Sequence, residues 1–226
     1  MKMKAMLSLF IGFFSLMAVA PPLLAQDLSK YREFALGTNL ATVLKLTHQR
    51  LTEVNQTPGV LPILQELTWW PPSASGGPYR SDSVEQILFS FYGGALYKIT
   101  VTYDQSSTEG LTAEDMVKSI TEKYGPPTTV FQEVGATGNN NYATREKPVA
   151  NWEDAQRSLD LVRSAFSNRF GIVIYTKRVN AEVELAIKDG AIRERQEGPM
   201  REAARQKKLT DDLEAARQKN QKTFRP

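Results

Sequence analysis

The chain has 226 residues, with 28 lysines and arginines against 25 aspartates and glutamates, a single histidine and no cysteine. The missing cysteine excludes thiolate nucleophiles, iron–sulfur clusters, cysteine-type zinc sites and a lipobox acyl anchor together. Two of the three net positive charges reside on Lys2 and Lys4, so the remainder is nearly neutral and has no clustered basic face of the kind nucleic acid requires.

Residues 1–25 read as a signal peptide. Lys2 and Lys4 form the positive start, and no charge follows from Ala5 to Ala20. Pro21-Pro22 ends any helix, because proline lacks the N–H and fixes φ. Leu23-Leu24-Ala25 supplies the small residue before the cut, giving cleavage after Ala25 and a periplasmic or secreted protein.

Beyond the leader, a glycine, a capped helix and then antiparallel strands occur in that order twice. The first half spans residues 27–104. Gly37 precedes Thr38 and Asn39 as candidate caps, and Leu40, Val43, Leu44 and Thr47 share one helical side, fading near Arg50. A short strand over 65–70 stops at Pro71-Pro72, and a long loop runs over 71–83. Strands over 84–91 and 95–103 flank Gly93-Gly94, a strong hairpin signal. A three-residue turn of Tyr92-Gly93-Gly94 sets Phe91, Phe89 and Ile87 beside Ala95, Tyr97, Ile99 and Val101 on one face.

The second half spans 105–179. Thr112 and Asp115 form a capping box, while Leu111 and Met116 are placed as a hydrophobic staple. Met116, Val117, Ile120 and Tyr124 make the buried stripe, and Gly125-Pro126-Pro127 stops the helix. Strands are expected over 129–134, 149–153, 158–164 and 171–177, with a second long loop over 135–148. Along the last strand Ile172 and Ile174 face one way and Val173 and Tyr175 the other, which suits cover on both sides.

Residues 180–226 form a charged helical or disordered tail, in which Glu-Ala-Ala-Arg-Gln-Lys occurs at 202–207 and again at 214–219. Gly190 and Gly198-Pro199 are expected to interrupt it, and the shortage of large apolar residues predicts a solvated helix.

The fold class expected is α+β: two similar helix-plus-antiparallel-sheet halves with a charged C-terminal helical tail. The segments 34–43 and 110–127 resemble the repeat unit of SmpA/OmlA-type outer-membrane assembly lipoproteins and of β-lactamase-inhibitor-like periplasmic proteins, which carry it singly and in tandem. That resemblance implies helices on one face of an antiparallel sheet and a role in binding other proteins. The chain departs from it by lacking the lipobox cysteine and the glycine-x-proline ending of the first helix.

No nucleophile elbow, phosphate loop, dinucleotide fingerprint or zinc-protease motif is present, and no cofactor is expected. His48 and Glu53 could be drawn as a dyad, but His48 reads as a helix-end residue. Glu153 and Asp154 are neighbours that point to opposite faces of a strand, so they read as strand-end and turn residues, with Trp152 in the core. The candidate binding surface is Trp69, Trp70, Tyr92 and Tyr97, with Trp69 packing inward as the simpler reading of the pair. The functional expectation is a non-enzymatic exported interaction protein of the envelope, an assembly factor or inhibitor with a protein partner. The alternatives are a cell-wall glycan-binding protein or hydrolase using Trp69, Trp70 and the two long loops, and a structural envelope protein without a ligand.

Overall fold

The computed structural model describes residues 27–60, 62–72, 83–131, 146–165, 167–223 and 225. The leader with its cleavage position lies outside the described residues, as do most of both long loops. No helix among the described residues is long and apolar enough to cross a membrane.

A small hairpin of β1 (Lys30–Tyr31) and β2 (Phe34–Ala35) opens the described chain, and α1 (Leu40–Thr47) comes next. Asn39 is the cap of α1: its side-chain oxygen accepts the Thr42 N–H at 2.9 Å. The helix ends at His48, which turns left-handed with φ of 56° while its N–H still meets the last carbonyls. A 3₁₀ turn leads into β3 (Val54–Thr57), β4 (Leu64–Trp69), β5 (Val84–Tyr92) and β6 (Ala95–Tyr103). Then come the single turn α2 (Gln105–Thr108), α3 (Ala113–Tyr124), β7 (Thr129–Val130), β8 (Glu146–Glu153), β9 (Arg157–Ser164), β10 (Phe170–Thr176) and α4 (Lys177–Thr223).

All the strands from β3 onward join one eight-stranded antiparallel sheet, ordered β3-β4-β5-β6-β10-β9-β8-β7. The chain order is thus a helix followed by four strands, twice, and the last strand of each series meets the other at the centre of the sheet. There Ile99 pairs with Ile174 and Val101 with Ile172. The α+β class holds, and the sheet runs unbroken across the expected boundary at 104/105.

One face of this sheet carries the main core. Ile87, Phe89, Phe91, Ile99, Val101, Leu159, Leu161, Ile172 and Ile174 are buried there against Val43 of α1, Met116, Ile120 and Tyr124 of α3, and Phe34. Burying one such side chain fully stabilises the fold by about 1.5–3 kcal/mol. Trp152 is fully buried, and its indole N–H donates to the Gly125 carbonyl at 2.8 Å, fastening the end of α3 to β8. The Thr112–Asp115 capping box starts α3 as its sequence predicts, with the Thr112 N–H donating to Asp115 at 2.9 Å. The start of α1 is stitched to the β5–β6 turn: the Gly37 N–H donates to Leu96 at 2.7 Å and the Leu96 N–H to Thr38 at 2.8 Å.

The β5–β6 turn corrects the expected register. Gly93 and Gly94 both take positive φ (58° and 82°), which glycine adopts without steric cost, so a two-residue turn closes and Phe91 pairs with Leu96. Tyr97 is the extra residue of a bulge inside β6, after which Phe89 pairs with Ile99 and Ile87 with Val101. Leu96 therefore takes the core position expected for Ala95 and Tyr97. Tyr97 instead joins Leu64 and Val183 in a separate buried cluster.

A further bulge falls in β8, where Val149 is extra between Pro148↔Val162 and Ala150↔Leu161. Proline in a strand is accommodated at such irregularities, which is why β8 reaches back to Glu146 instead of starting at 149. β7 covers Thr129–Val130 of the expected 129–134, residues 132–134 lying outside the described set. β3 has no counterpart among the expected strands.

The tail is one helix from Lys177 to Thr223, running through Gly190 and Gly198-Pro199 where interruptions were expected. Its first turns are a packed part of the fold: Val183, flanked by Val179 and Ala186, closes over Val60, Leu64 and Tyr97 on the face opposite the main core. The expected boundary at 179/180 falls inside this helix.

Candidate functional site

The four aromatic residues singled out by the sequence divide between two faces of the sheet. Trp69 ends β4 and meets Phe34 edge-on at 5.6 Å between centroids, and Phe34 in turn packs on Phe89 at 4.6 Å. It packs inward against the main core, as the simpler expectation has it. Trp70, the next residue, is 60% exposed. Tyr92 and Tyr97 meet edge to face at 6.5 Å and pack under α4. The structure therefore brings the two tyrosines together and leaves the two tryptophans apart from them.

Below α4 the tyrosine pair borders a charged strip. Burial pushes the Tyr97 hydroxyl up to about 12, helped by the carboxylates of Glu66 and Glu184. Lys98, brought to the same side by the bulge, is held below its ordinary range by burial, against the pull of Glu184, Glu66 and Glu146. Further along, the Arg193 guanidinium donates to the Gly59 carbonyl at 3.0 Å. Beyond Arg193 the described residues of α4 are exposed, apart from the half-buried Gly198, and they include Met200, Leu209 and Leu213.

A cavity of about 300 Å³ opens on the main-core side, between α3, α2 and the β1–β2 hairpin. Met116, Ile120 and Ile172 give it an apolar floor, while Tyr31, Tyr103 and Tyr124 surround it and Lys123 stands at its rim. The Tyr124 hydroxyl donates to the Lys30 carbonyl at 3.4 Å. Burial keeps Tyr103 well above the usual phenol range and Tyr124 at about 12. Both are thus hydrogen-bonding phenols at neutral pH, not bases. The Lys123 ammonium lies 5.4 Å from the Tyr31 ring centre and 5.1 Å from that of Tyr124. Partial burial, then Arg32 and Lys30 nearby, lower its pKa.

Sequence reading missed this cavity because its tyrosines come from a hairpin, a strand end and a helix end far apart in the chain. Tyr124 was visible only as part of the helical stripe, and Lys123 carried no signal at all. A smaller, polar cavity of about 220 Å³ lies on the sheet near Thr100, Thr102, Glu146, Ser164, Arg169 and Gly171. At Gly171 a Cβ would come within 2.6 Å of the Val101 carbonyl, so the backbone there tolerates only glycine.

Of the residues weighed for catalysis, Glu53, Glu153 and Asp154 have structural partners. Glu53 accepts the Arg50 N–H at 3.0 Å and pairs with its side chain. Asp154 caps the β8–β9 turn by accepting the N–H groups of Gln156 and Arg157, both at 2.7 Å, and Glu153 pairs with Lys177 at 2.7 Å. Among the described residues no three His, Asp or Glu side chains gather as a metal site.

What the fold and these surfaces define is an α+β platform with helices on both faces of one antiparallel sheet, one of them prolonged far past its support. No protein-family model, no curated protein and no solved structure matches the chain.

Proposed function

We propose that this protein is a non-enzymatic, exported interaction module of the bacterial envelope, an assembly factor or inhibitor, that grips a protein partner with the outer part of α4. The observation that carries the reading is the disproportion of that helix. Its 47 residues extend about 70 Å at 1.5 Å per residue, and about the last two thirds lack any core to pack on. A helix so exposed with charges of both signs all around is a spacer or a contact surface. Leu209 and Leu213, half-exposed or more and one turn apart, favour contact. The leader-like residues 1–25 motivate the export, and the helix-then-strands order, occurring twice, agrees with a tandem repeat of the assembly-factor and inhibitor kind.

A photo-cross-linking side chain at Leu209 or Leu213 of the full chain, expressed in its own envelope, tests the reading. A discrete adduct from those positions, absent when the same group replaces the equally exposed Leu51, supports it. No adduct from either arm position rejects it.

Of the two tryptophans, the glycan alternative keeps Trp70 as its exposed platform, because Trp69 packs on Phe34. Trp70→Ala should abolish binding to peptidoglycan if that reading holds, and unchanged binding excludes this residue as the platform.

A further inference from the structure

We infer that the cavity between α3, α2 and the β1–β2 hairpin binds a small neutral molecule with an apolar body and one hydrogen-bond donor, such as an alcohol. The body lies on Met116, Ile120 and Ile172, and the donor meets hydroxyl oxygens in the lining. This goes beyond the interaction reading and does not depend on the outer part of α4.

The first observation is the apolar part of the lining. The volume, about 300 Å³, is at the lower end of the roughly 300–1,000 Å³ range of small-ligand sites. Besides the apolar floor, Leu111 lines the cavity and is left 39% exposed, the one large apolar side chain there without cover. An apolar body entering the cavity removes that surface from water.

The second observation is where the hydroxyl protons of the lining go. Ser119 donates to the Asp115 carbonyl at 3.0 Å and Thr108 to the Asp104 carbonyl at 3.1 Å. Ser107 donates to the Asp104 carboxylate at 3.4 Å, and Tyr124 to the Lys30 carbonyl at 3.4 Å. A hydroxyl has one proton and two lone pairs, so each of these four groups keeps only the capacity to accept. They form an acceptor surface, which a ligand satisfies by bringing a donor. A carboxylate brings none, and against these oxygens it loses its hydration without replacement.

The third observation disfavours a charged donor. The Lys123 ammonium stands at the rim, 5.4 Å and 5.1 Å from the ring centres of Tyr31 and Tyr124. An ammonium ligand meets like charge there, and no aspartate or glutamate is among the described residues that line the cavity. A neutral donor meets neither obstacle.

The test titrates the full chain with hexanol, hexyl methyl ether, hexanoate and hexylammonium, which share one apolar body and differ in the head. The readout is the methyl resonances of methionines labelled with carbon-13, together with the heat of binding. Hexanol is expected to shift the Met116 methyl and to bind about fivefold more tightly than the ether, the margin of one net hydrogen bond. Both ions should bind more weakly than hexanol. Ser119→Trp, at an exposed position of the rim, should block hexanol and the ether alike at unchanged melting temperature. The assignment is overturned by a Met116 methyl that hexanol does not shift, or by an ether that binds as tightly as hexanol. It is overturned equally by an ion that matches hexanol, or by a Ser119→Trp variant that binds like the parent.

Discussion

Gly190 of α4 lies directly against the main chain of Gly59, so that a Cβ at position 190 would stand 3.0 Å from the Gly59 carbonyl oxygen. The same carbonyl accepts the Arg193 guanidinium one turn further along. These two contacts end the docked part of the helix and mark where its exposed part begins.

Substitution at Gly190 should separate helix propensity from docking. Ala gains about 0.5–1 kcal/mol of helix propensity but must push the Gly59 carbonyl by a few tenths of an ångström, so its net effect is small. Val has no such room and should destabilise by about 1–3 kcal/mol. Urea unfolding of both variants, followed by Tyr97 ring signals, measures this. A Val variant as stable as the parent would show that α4 does not seat there.

Alkali should reveal the buried phenols. Tyr97 and Tyr124 are both held up to about 12, and Tyr103 is raised as well. A folded-state pKa above the unfolded value of about 10 means that the folded form keeps its proton longer. The stability this represents is intact below pH 10 and is lost as pH rises through the folded values. Absorbance at 295 nm should thus show Tyr97 and Tyr124 ionising only near pH 12, and Tyr103 well above the usual phenol range, together with loss of far-ultraviolet circular dichroism. A single transition near pH 10 with the fold intact would contradict their burial.

Trp152 should be the costliest single side chain to remove. Ala in its place creates a cavity worth about 3–5 kcal/mol and also frees the Gly125 carbonyl at the end of α3. Phe restores the packing in part but not the hydrogen bond, and should cost about 1–3 kcal/mol. Thermal denaturation of the pair checks the order Ala below Phe below parent.

Pro199 should weaken the outer helix locally without touching the sheet. It lacks the N–H that would bond to the carbonyl of Arg195, and interior proline costs a helix about 3 kcal/mol. Pro199→Ala should therefore increase the circular dichroism at 222 nm while leaving the cooperative melting temperature unchanged. A shift in that temperature would mean the outer helix is coupled to the sheet.

Particular residues explain which elements were legible in the sequence. α3 was fully readable, because Thr112, Asp115, Met116 and Gly125 act locally through caps and spacing. The β5–β6 hairpin was readable in its faces from Ile99 and Val101 onward but not beside the turn, since Gly93-Gly94 permits either turn and a bulge at Tyr97 puts Leu96 in the core instead of Ala95 and Tyr97. β3 was invisible: Val54-Asn55-Gln56-Thr57 is a largely polar edge strand with no alternating apolar pattern. The docked root of α4 was overlooked for a different reason. Val179, Val183, Ala186 and Gly190 do keep helical spacing, but as a seam of small residues, which suits close approach to a backbone and resembles no large apolar stripe. The tyrosine cavity depends on three distant segments meeting, and only the fold brings them together.

Amide hydrogen exchange along α4 tests most directly whether a docked root carries a long unsupported arm. The expected result is strong protection for residues 180–193, shared with the central strands, and fast exchange from about 196 to the end of the helix in the isolated protein. Uniform strong protection over the whole helix would contradict it, because the arm would then be covered in the free protein and would not be available to a partner.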